Sequence, residues 1–305
     1  MRSAPSAAYI EQTAGRSAAR AARRRALRYD KNGMRPPKRT YVLLSLVIVA
    51  SLAPLYYALL LASSTAADIA QNPIPSLLPQ GHLLDNFKRV VSADVDLLHA
   101  AWNSVVVSTG TAVAVVLLSV LAGFAFARLR FRGRSVLLLF VVGTMAVPTQ
   151  LGVVPLFMVM RSLGLTGSLW AVFLPGIASA FGVFWMTQYL SAALPPELIE
   201  AARIDGATTF RIFRSIVFPA ALPAASMLGL FTFVGSWTNY FWPSIVLGST
   251  NPTLPVALQL LQTGFFKDIS LIMAGVLVSV VPLLALFVVV GRQLVAGVMQ
   301  GAVKG

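Results

Sequence analysis

Side chains able to make or break bonds are scarce in this sequence. There is no cysteine, which excludes thiolate nucleophiles, disulfides and thiolate metal sites. The two histidines, His82 and His99, stand alone in one polar stretch, and a metal site would need further convergent ligands. No Gly-x4-Gly-Lys-Ser/Thr loop is present to cradle nucleotide phosphates. What chemistry the chain offers is recognition. Glu197, Glu200 and Asp205 share the stretch Leu194–Pro219 with Arg203, Arg211 and Arg214.

That stretch reads as a short exposed helix followed by a second one. Pro196 suits a first helical turn, where its missing N–H is no loss, and Glu197 and Glu200 then lie near the positive end of the helix dipole. Ala201 and Ala202 keep the helix thin, as a ridge fitting a protein groove must be. Gly206 permits the positive φ that ends the first helix and turns the chain. Arg211 and Arg214 fall toward the end of the second helix, beside lipid headgroups. A generic amphipathic loop helix would require none of these residues in particular.

The elements around this loop belong to a membrane protein. Of 305 residues, 57% are apolar and 11% charged, with a mean hydropathy of +0.78; soluble domains carry about 25% charged residues. A net charge of +14 raises nucleic acid as a partner, but the basic residues sit at the margins of long apolar runs and not over a wettable surface, so none is expected. Six runs reach the roughly 20 residues that span a bilayer: about 41–62, 102–127, 135–160, 168–190, 217–247 and 271–291. The fifth is long enough for a tilted or kinked span plus a re-entrant end. Prolines 148, 155, 175, 219, 223, 243 and 282 are tolerable as kinks in lipid.

Twenty basic residues fall on one side: eleven before Tyr41, then Arg128, Arg130, Arg132 and Arg134, Arg203, Arg211 and Arg214, and finally Arg292 and Lys304. Lys88, Arg89, Arg161 and Lys267 make up the other side. The positive-inside rule then predicts both termini in the cytoplasm. The Arg-rich, acid-poor tail resembles a transit peptide in composition, but it serves equally as a positive-inside anchor with an interfacial helix around Ala18–Arg28. The anchor is the expectation. No cleaved signal peptide is expected, because the first apolar run starts at Tyr41 and is too long for an h-region.

No Asp, Glu, Lys, Arg or His falls inside the six runs, which argues against a proton-coupled carrier or a charged-filter channel. Energy for uphill transport must then come from another subunit. Ser119, Gly123 and Ala127, with Gly110 and Ala114 above, form a stripe of small residues suited to close helix approach; it serves another subunit or this chain. The segment Leu83–Val91 reads either as an amphipathic surface helix or as a packed loop.

The Leu194–Pro219 stretch resembles the EAA loop of ABC importer permeases, matching at Glu200, Ala201, Ala202, Gly206, Ile216 and Pro219, with Asp205 and Ala207 extending it and Phe218 where Leu is usual. The segments 125–133, Trp237-Thr238-Asn239-Tyr240-Phe241-Trp242-Pro243, Thr253–Val256 and Gly301–Gly305 are similar to the smaller permease of maltose-type systems. The resemblance implies an all-α integral membrane protein with six transmembrane helices and the type I ABC importer fold. It implies a basic tail (1–40), a first helix and outer loop (41–98), a five-helix core (99–291) with the coupling loop at 195–216, and a C-terminal tail (292–305). It further implies that Glu200, Ala201, Ala202, Asp205, Gly206, Ala207 and Phe210 dock on the ATPase, and that Lys304 and Gly305 enter the ATPase dimer interface. The outer loop Gly248–Ser270, with Thr250, Asn251, Thr253 and Gln262, then reaches toward an extracytoplasmic solute-binding protein. Expected partners are a second, different permease, an ATPase dimer, the binding protein and membrane lipid. No cofactor is expected in this chain, ATP and Mg being used by the partner ATPase. Trp237, Asn239 and Tyr240 are candidates for the pore lining, where aromatic rings could stack on sugar faces, although packing between helices is the expected role of the aromatic residues there. Sugar is the expected cargo; a non-sugar solute on the same machinery, or a stand-alone secondary transporter, are the rivals.

Overall fold

The computed structural model describes residues 38–302, except 73, 75, 94 and 263–267, and side chains up to residue 288. The tail to residue 37, its expected interfacial helix, and Lys304 and Gly305 lie outside the described residues. The chain divides into two compact units, 1–57 and 58–305.

The first unit contributes most of helix α1 (Lys38–Ala62), an apolar helix of 25 residues with Pro54 inside it. The second unit contains the remaining elements, and all regular structure among the described residues is helical. Two short helices, α2 (Ala66–Gln71) and α3 (Leu83–Val91), precede the long α4 (Leu97–Arg128). Then come α5 (Arg134–Thr144), α6 (Val153–Ser162), α7 (Trp170–Gly176), α8 (Ala180–Ala193) and α9 (Pro196–Ile204). The chain continues through α10 (Thr209–Ile212), α11 (Phe218–Trp237), α12 (Phe241–Val246), α13 (Leu254–Leu260) and α14 (Ile269–Ala302).

Five stretches are long and apolar enough to cross a membrane: Lys38–Ala62, Leu97–Arg128, Trp170–Ala193, Thr209–Trp237 and Ile269–Val288. The pair Arg134–Thr144 and Thr149–Ser162 makes a sixth if its two halves, bent by 90°, form one span. The bend follows from Pro148, which biases the preceding residue away from helical backbone; a short 3-10 turn, Thr149–Gly152, restarts the chain. The fourth span is interrupted after Pro175 and Gly176 and restarts at Ser179, whose hydroxyl accepts from the Gly182 N–H at 3.0 Å.

Helix α4 is the hub. The Ser119–Gly123–Ala127 stripe faces this chain's own α8, so its role in close approach is internal. A Cβ on Gly123 would lie 2.7 Å from the Met186 Cβ, and Ser119 and Ala127 are buried. Around that crossing lies a core of Phe124, Met186, Leu190, Leu194, Ile199, Ile212, Val217 and Leu228. A second core at the opposite end of α4 joins Leu97 and Ala100 to Val90, Trp237, Leu254 and Ala274. Segment Leu83–Val91 is helical and buries Val90 there, with Leu83 and Phe87 packed alongside. Its Asn86 is buried and donates to the carbonyls of Ala62 and Ser64, both at 2.9 Å.

Candidate functional site

The loop singled out by its residue types forms helix α9, with Pro196 in its first turn and Glu197 beside it. One face of α9 is anchored. Ile199 is buried in the core formed with Leu194, Ile212 and Val217, and Ala202 and Ala207 pack against the same cluster. The other face is open: Glu200, Ala201, Arg203, Asp205 and Gly206 are exposed.

The turn that closes α9 has the hydrogen bonds of a Schellman motif. The Ala207 N–H donates to the Ala202 carbonyl at 2.9 Å, the Gly206 N–H to that of Arg203 at 3.0 Å, and the Asp205 N–H to that of Ala201 at 3.0 Å. Gly206 has φ +76°, the left-handed conformation expected from its residue type, which side chains disfavour. The next helix is capped by Thr208, whose hydroxyl accepts from the Arg211 N–H at 3.3 Å.

The second helix of the loop runs directly into the following span. Helix α10, a π-helical turn at Phe213–Val217 and α11 form one continuous span, Thr209–Trp237. Pro219 lacks the N–H that would bond the carbonyl four residues back, and the wider π turn accommodates this defect. The Phe213 ring lies 6.2 Å from both Phe124 of α4 and Phe218. The Gly206 turn thus links α9 directly to the fifth span.

Two side chains complete the exposed face. Phe210, already a candidate, is 72% exposed, and Ile204, not singled out from the sequence, is 86% exposed. Ile204 sits between Arg203 and Asp205, and an apolar residue between charges at the end of a water-facing helix was the available signal. Together they provide apolar knobs among charges, as a protein-docking surface requires.

The outer-loop candidates divide. Thr250 is exposed and Gln262 half-buried, but Asn251 and Thr253 turn inward. The Asn251 side-chain oxygen accepts from Asn103 at 2.7 Å and lies 3.2 Å from His99 Nε2. Thr253 is 4% exposed, ahead of a helix, α13, whose Leu254 and Ala257 are core residues; the Leu254 N–H donates to the Ser104 hydroxyl at 2.8 Å. Asn251 ties the loop to α4, and the expectation that Thr253 contacts a binding protein is corrected by its burial. Next to it, Arg89 and Asp268 form an ion pair at 2.5 Å. Burial alone would raise the Asp268 pKa, but hydrogen bonds from Ser270, Arg89 and the Leu271 N–H, with the Arg89 charge, hold it below the ordinary value.

Trp237 is also corrected as a pore-lining residue. It is 2% exposed, stacks on Phe233 at 5.8 Å, and donates its indole N–H to the Ser279 carbonyl at 3.1 Å. Trp242 likewise packs, donating to the Ala171 carbonyl at 2.9 Å. Asn239 is half-buried and Tyr240 exposed. Among the described residues, no three His, Cys, Asp or Glu side chains converge as metal ligands.

The family described as binding-protein-dependent transport system inner membrane component matches residues 115–296, a range that includes α9 and its turn. The chain belongs to this permease family. The arabinooligosaccharides transport system permease protein AraQ of Halalkalibacterium halodurans is 34% identical over 83% of this chain and 91% of its own length. The lactose transport system permease protein LacG of Rhizobium radiobacter is 33% identical over 87% and 95%. The sn-glycerol-3-phosphate transport system permease protein UgpE of Brucella abortus is 30% identical over 85% and 94%. The fold is also that of a chain in a bacterial ABC transporter involved in import of the acidic polysaccharide alginate, with a TM-score of 0.69 and 23% identity over 83% of this chain and 94% of that one. This permease is a multi-pass inner-membrane pore subunit of a binding-protein-dependent importer. Its family works with ATPase and substrate-binding partners.

Proposed function

We propose that this permease carries a sugar, an oligosaccharide or a related polyol derivative inward, and that α9 is the helix through which ATP hydrolysis in a separate subunit drives it. The cargo class rests on the relatives named for arabinooligosaccharides, lactose and sn-glycerol-3-phosphate. The chain has no catalytic residue or cofactor site of its own in this reading; the partner ATPase uses ATP and Mg. Two ATPase copies, a second, different permease and an extracytoplasmic binding protein complete the assembly. The end of the bundle bearing α9 is cytoplasmic, as are both termini, in keeping with the twenty-to-four distribution of basic residues.

The observation that carries the coupling role is the two-sided construction of α9. Ile199, Ala202 and Ala207 tie it to the core, while Glu200, Ile204 and Phe210 remain exposed. A helix held this way moves with the spans when pushed from outside. Closure of the ATPase dimer displaces α9, the Gly206 turn passes the motion to Thr209–Trp237, and the spans rock between inward and outward access. Half-buried Asn239 and exposed Tyr240 then remain candidates for the pore wall, and Thr250 for contact with the binding protein.

The test uses Glu200→Lys and Ile204→Asp in the full complex reconstituted in nanodiscs. Both variants insert into the membrane, but the loaded binding protein no longer stimulates ATP hydrolysis, or the ATPase dissociates. Solute import at the wild-type rate in both variants would sink the docking assignment.

A further inference from the structure

The loop between α4 and α5 presents a charge pattern that docking does not use. Arg128, Arg130, Arg132 and Arg134 alternate along it, and no acid occurs anywhere between Asp96 and Glu197. Arg128 is engaged, donating to the Ser191 carbonyl at 2.7 Å. Among the described residues, Arg130, Arg132 and Arg134 make neither an ion pair nor a hydrogen bond. Arg130, Phe131, Gly133, Arg134, Ser135 and Val136 line an open cleft of about 660 Å³.

Two further features say what fits it. First, α4 ends at Arg128 and α5 starts at Arg134, and so short a loop extends at most about 17 Å. Both flanking helices belong to candidate membrane spans, and Leu129 is packed on the core that holds α9. The cleft therefore stays at headgroup depth. Second, the cleft runs into an apolar track on α5: Val136, Leu139 and Phe140, three and four residues apart and so on one helix face, are 73%, 71% and 68% exposed.

We propose that this cleft seats an anionic phospholipid, its phosphate against Arg130 and Arg134 and an acyl chain along Val136, Leu139 and Phe140. Unpaired guanidiniums suit a phosphate because they donate two parallel hydrogen bonds to it. Phe131, its ring tilted against Phe126 at a centroid distance of 5.8 Å, forms the apolar wall at the glycerol level. The ligand is a lipid and not a soluble anion because the seat and the track are continuous.

The experiment is native mass spectrometry of the detergent-purified permease complex incubated with dioleoyl phosphatidylglycerol, dioleoyl phosphatidylcholine, glycerol 1-phosphate or inorganic phosphate. Phosphatidylglycerol should be retained over phosphatidylcholine, and neither soluble phosphate should displace it. Each arginine near an anionic surface contributes about fivefold to affinity, so Arg130→Gln with Arg134→Gln should lose roughly thirtyfold. Neither side chain has a partner among the described residues, so the double variant should assemble normally. Arg161→Gln, a charge removed elsewhere, should leave retention unchanged. Equal retention by the double variant, equal binding of phosphatidylcholine, or displacement by inorganic phosphate would each overturn the proposal. So would loss of a protein subunit in place of lipid, which would make an acidic protein surface the occupant.

Discussion

Gly206 offers the sharpest test of how force passes from α9 into the membrane. Its φ is +76°, and a Cβ built there meets nothing within 4 Å. Substitution therefore costs backbone energy alone within this chain. The left-handed conformation costs an L-residue about 1–2 kcal/mol, and a β-branched residue more. Opposing this are the Gly206 and Ala207 N–H bonds across the turn, at 3.0 and 2.9 Å, each contributing about 0.5–1.5 kcal/mol net. Alanine strain is thus of the same size as the turn's hydrogen bonding, while valine strain exceeds it and opens the turn. Measured as binding-protein-stimulated ATPase activity in nanodiscs, Gly206→Asn should stay near wild type, since asparagine tolerates this conformation. Gly206→Ala should fall several-fold, and Gly206→Val should lose coupling while remaining inserted. Thr209→Ala, exposed and one residue beyond the Thr208 cap, should be mild. If Gly206→Asn fails as badly as Gly206→Val, space at the ATPase and not φ decides the position. If Gly206→Val transports normally, the turn does not transmit force.

Three other perturbations probe separate parts of the molecule. Gly123→Val should force α4 and α8 apart, because the added Cβ falls 2.7 Å from the Met186 Cβ; overpacking costs about 1–3 kcal/mol, visible as a lower Tm in detergent, and an unchanged Tm would refute the close crossing. The Asp268 pKa is depressed, so its contribution is present above the unfolded carboxylate value of about 3.9 and is lost as pH falls through the lower folded value. With Arg89 half-exposed, the pair contributes about 0.2–1 kcal/mol at most; Asp268→Asn should flatten the acid limb of a Tm-against-pH curve, and an unchanged limb would count against the assignment. A cysteine at Thr250, in a chain with no native cysteine, should react with a membrane-impermeant maleimide from outside and crosslink to the binding protein. Labelling only from the cytoplasmic side would reverse the proposed topology.

The approximate place of the spans, and the turn chemistry of the Leu194–Pro219 loop, were legible in the sequence because both depend on local composition. A bilayer demands about 20 apolar residues whatever the neighbours are, and Gly206 is the residue a left-handed helix end favours. The burial of Trp237 and Thr253 and the anchoring of Asn251 were not legible. Spans that are apolar on every side carry no periodic signal to mark which face meets protein, so only the contact with Ser279 marked Trp237 as anchored, and only the fold brought Asn251 of the following loop to Asn103. The same reason hid the partner of the Gly123 stripe, since small residues allow close approach to any helix and only the fold brought Met186 to it. Ile204 is the reverse case: its residue type suggests burial, and the tertiary structure leaves it exposed because Ile199, on the other side of α9, occupies the core.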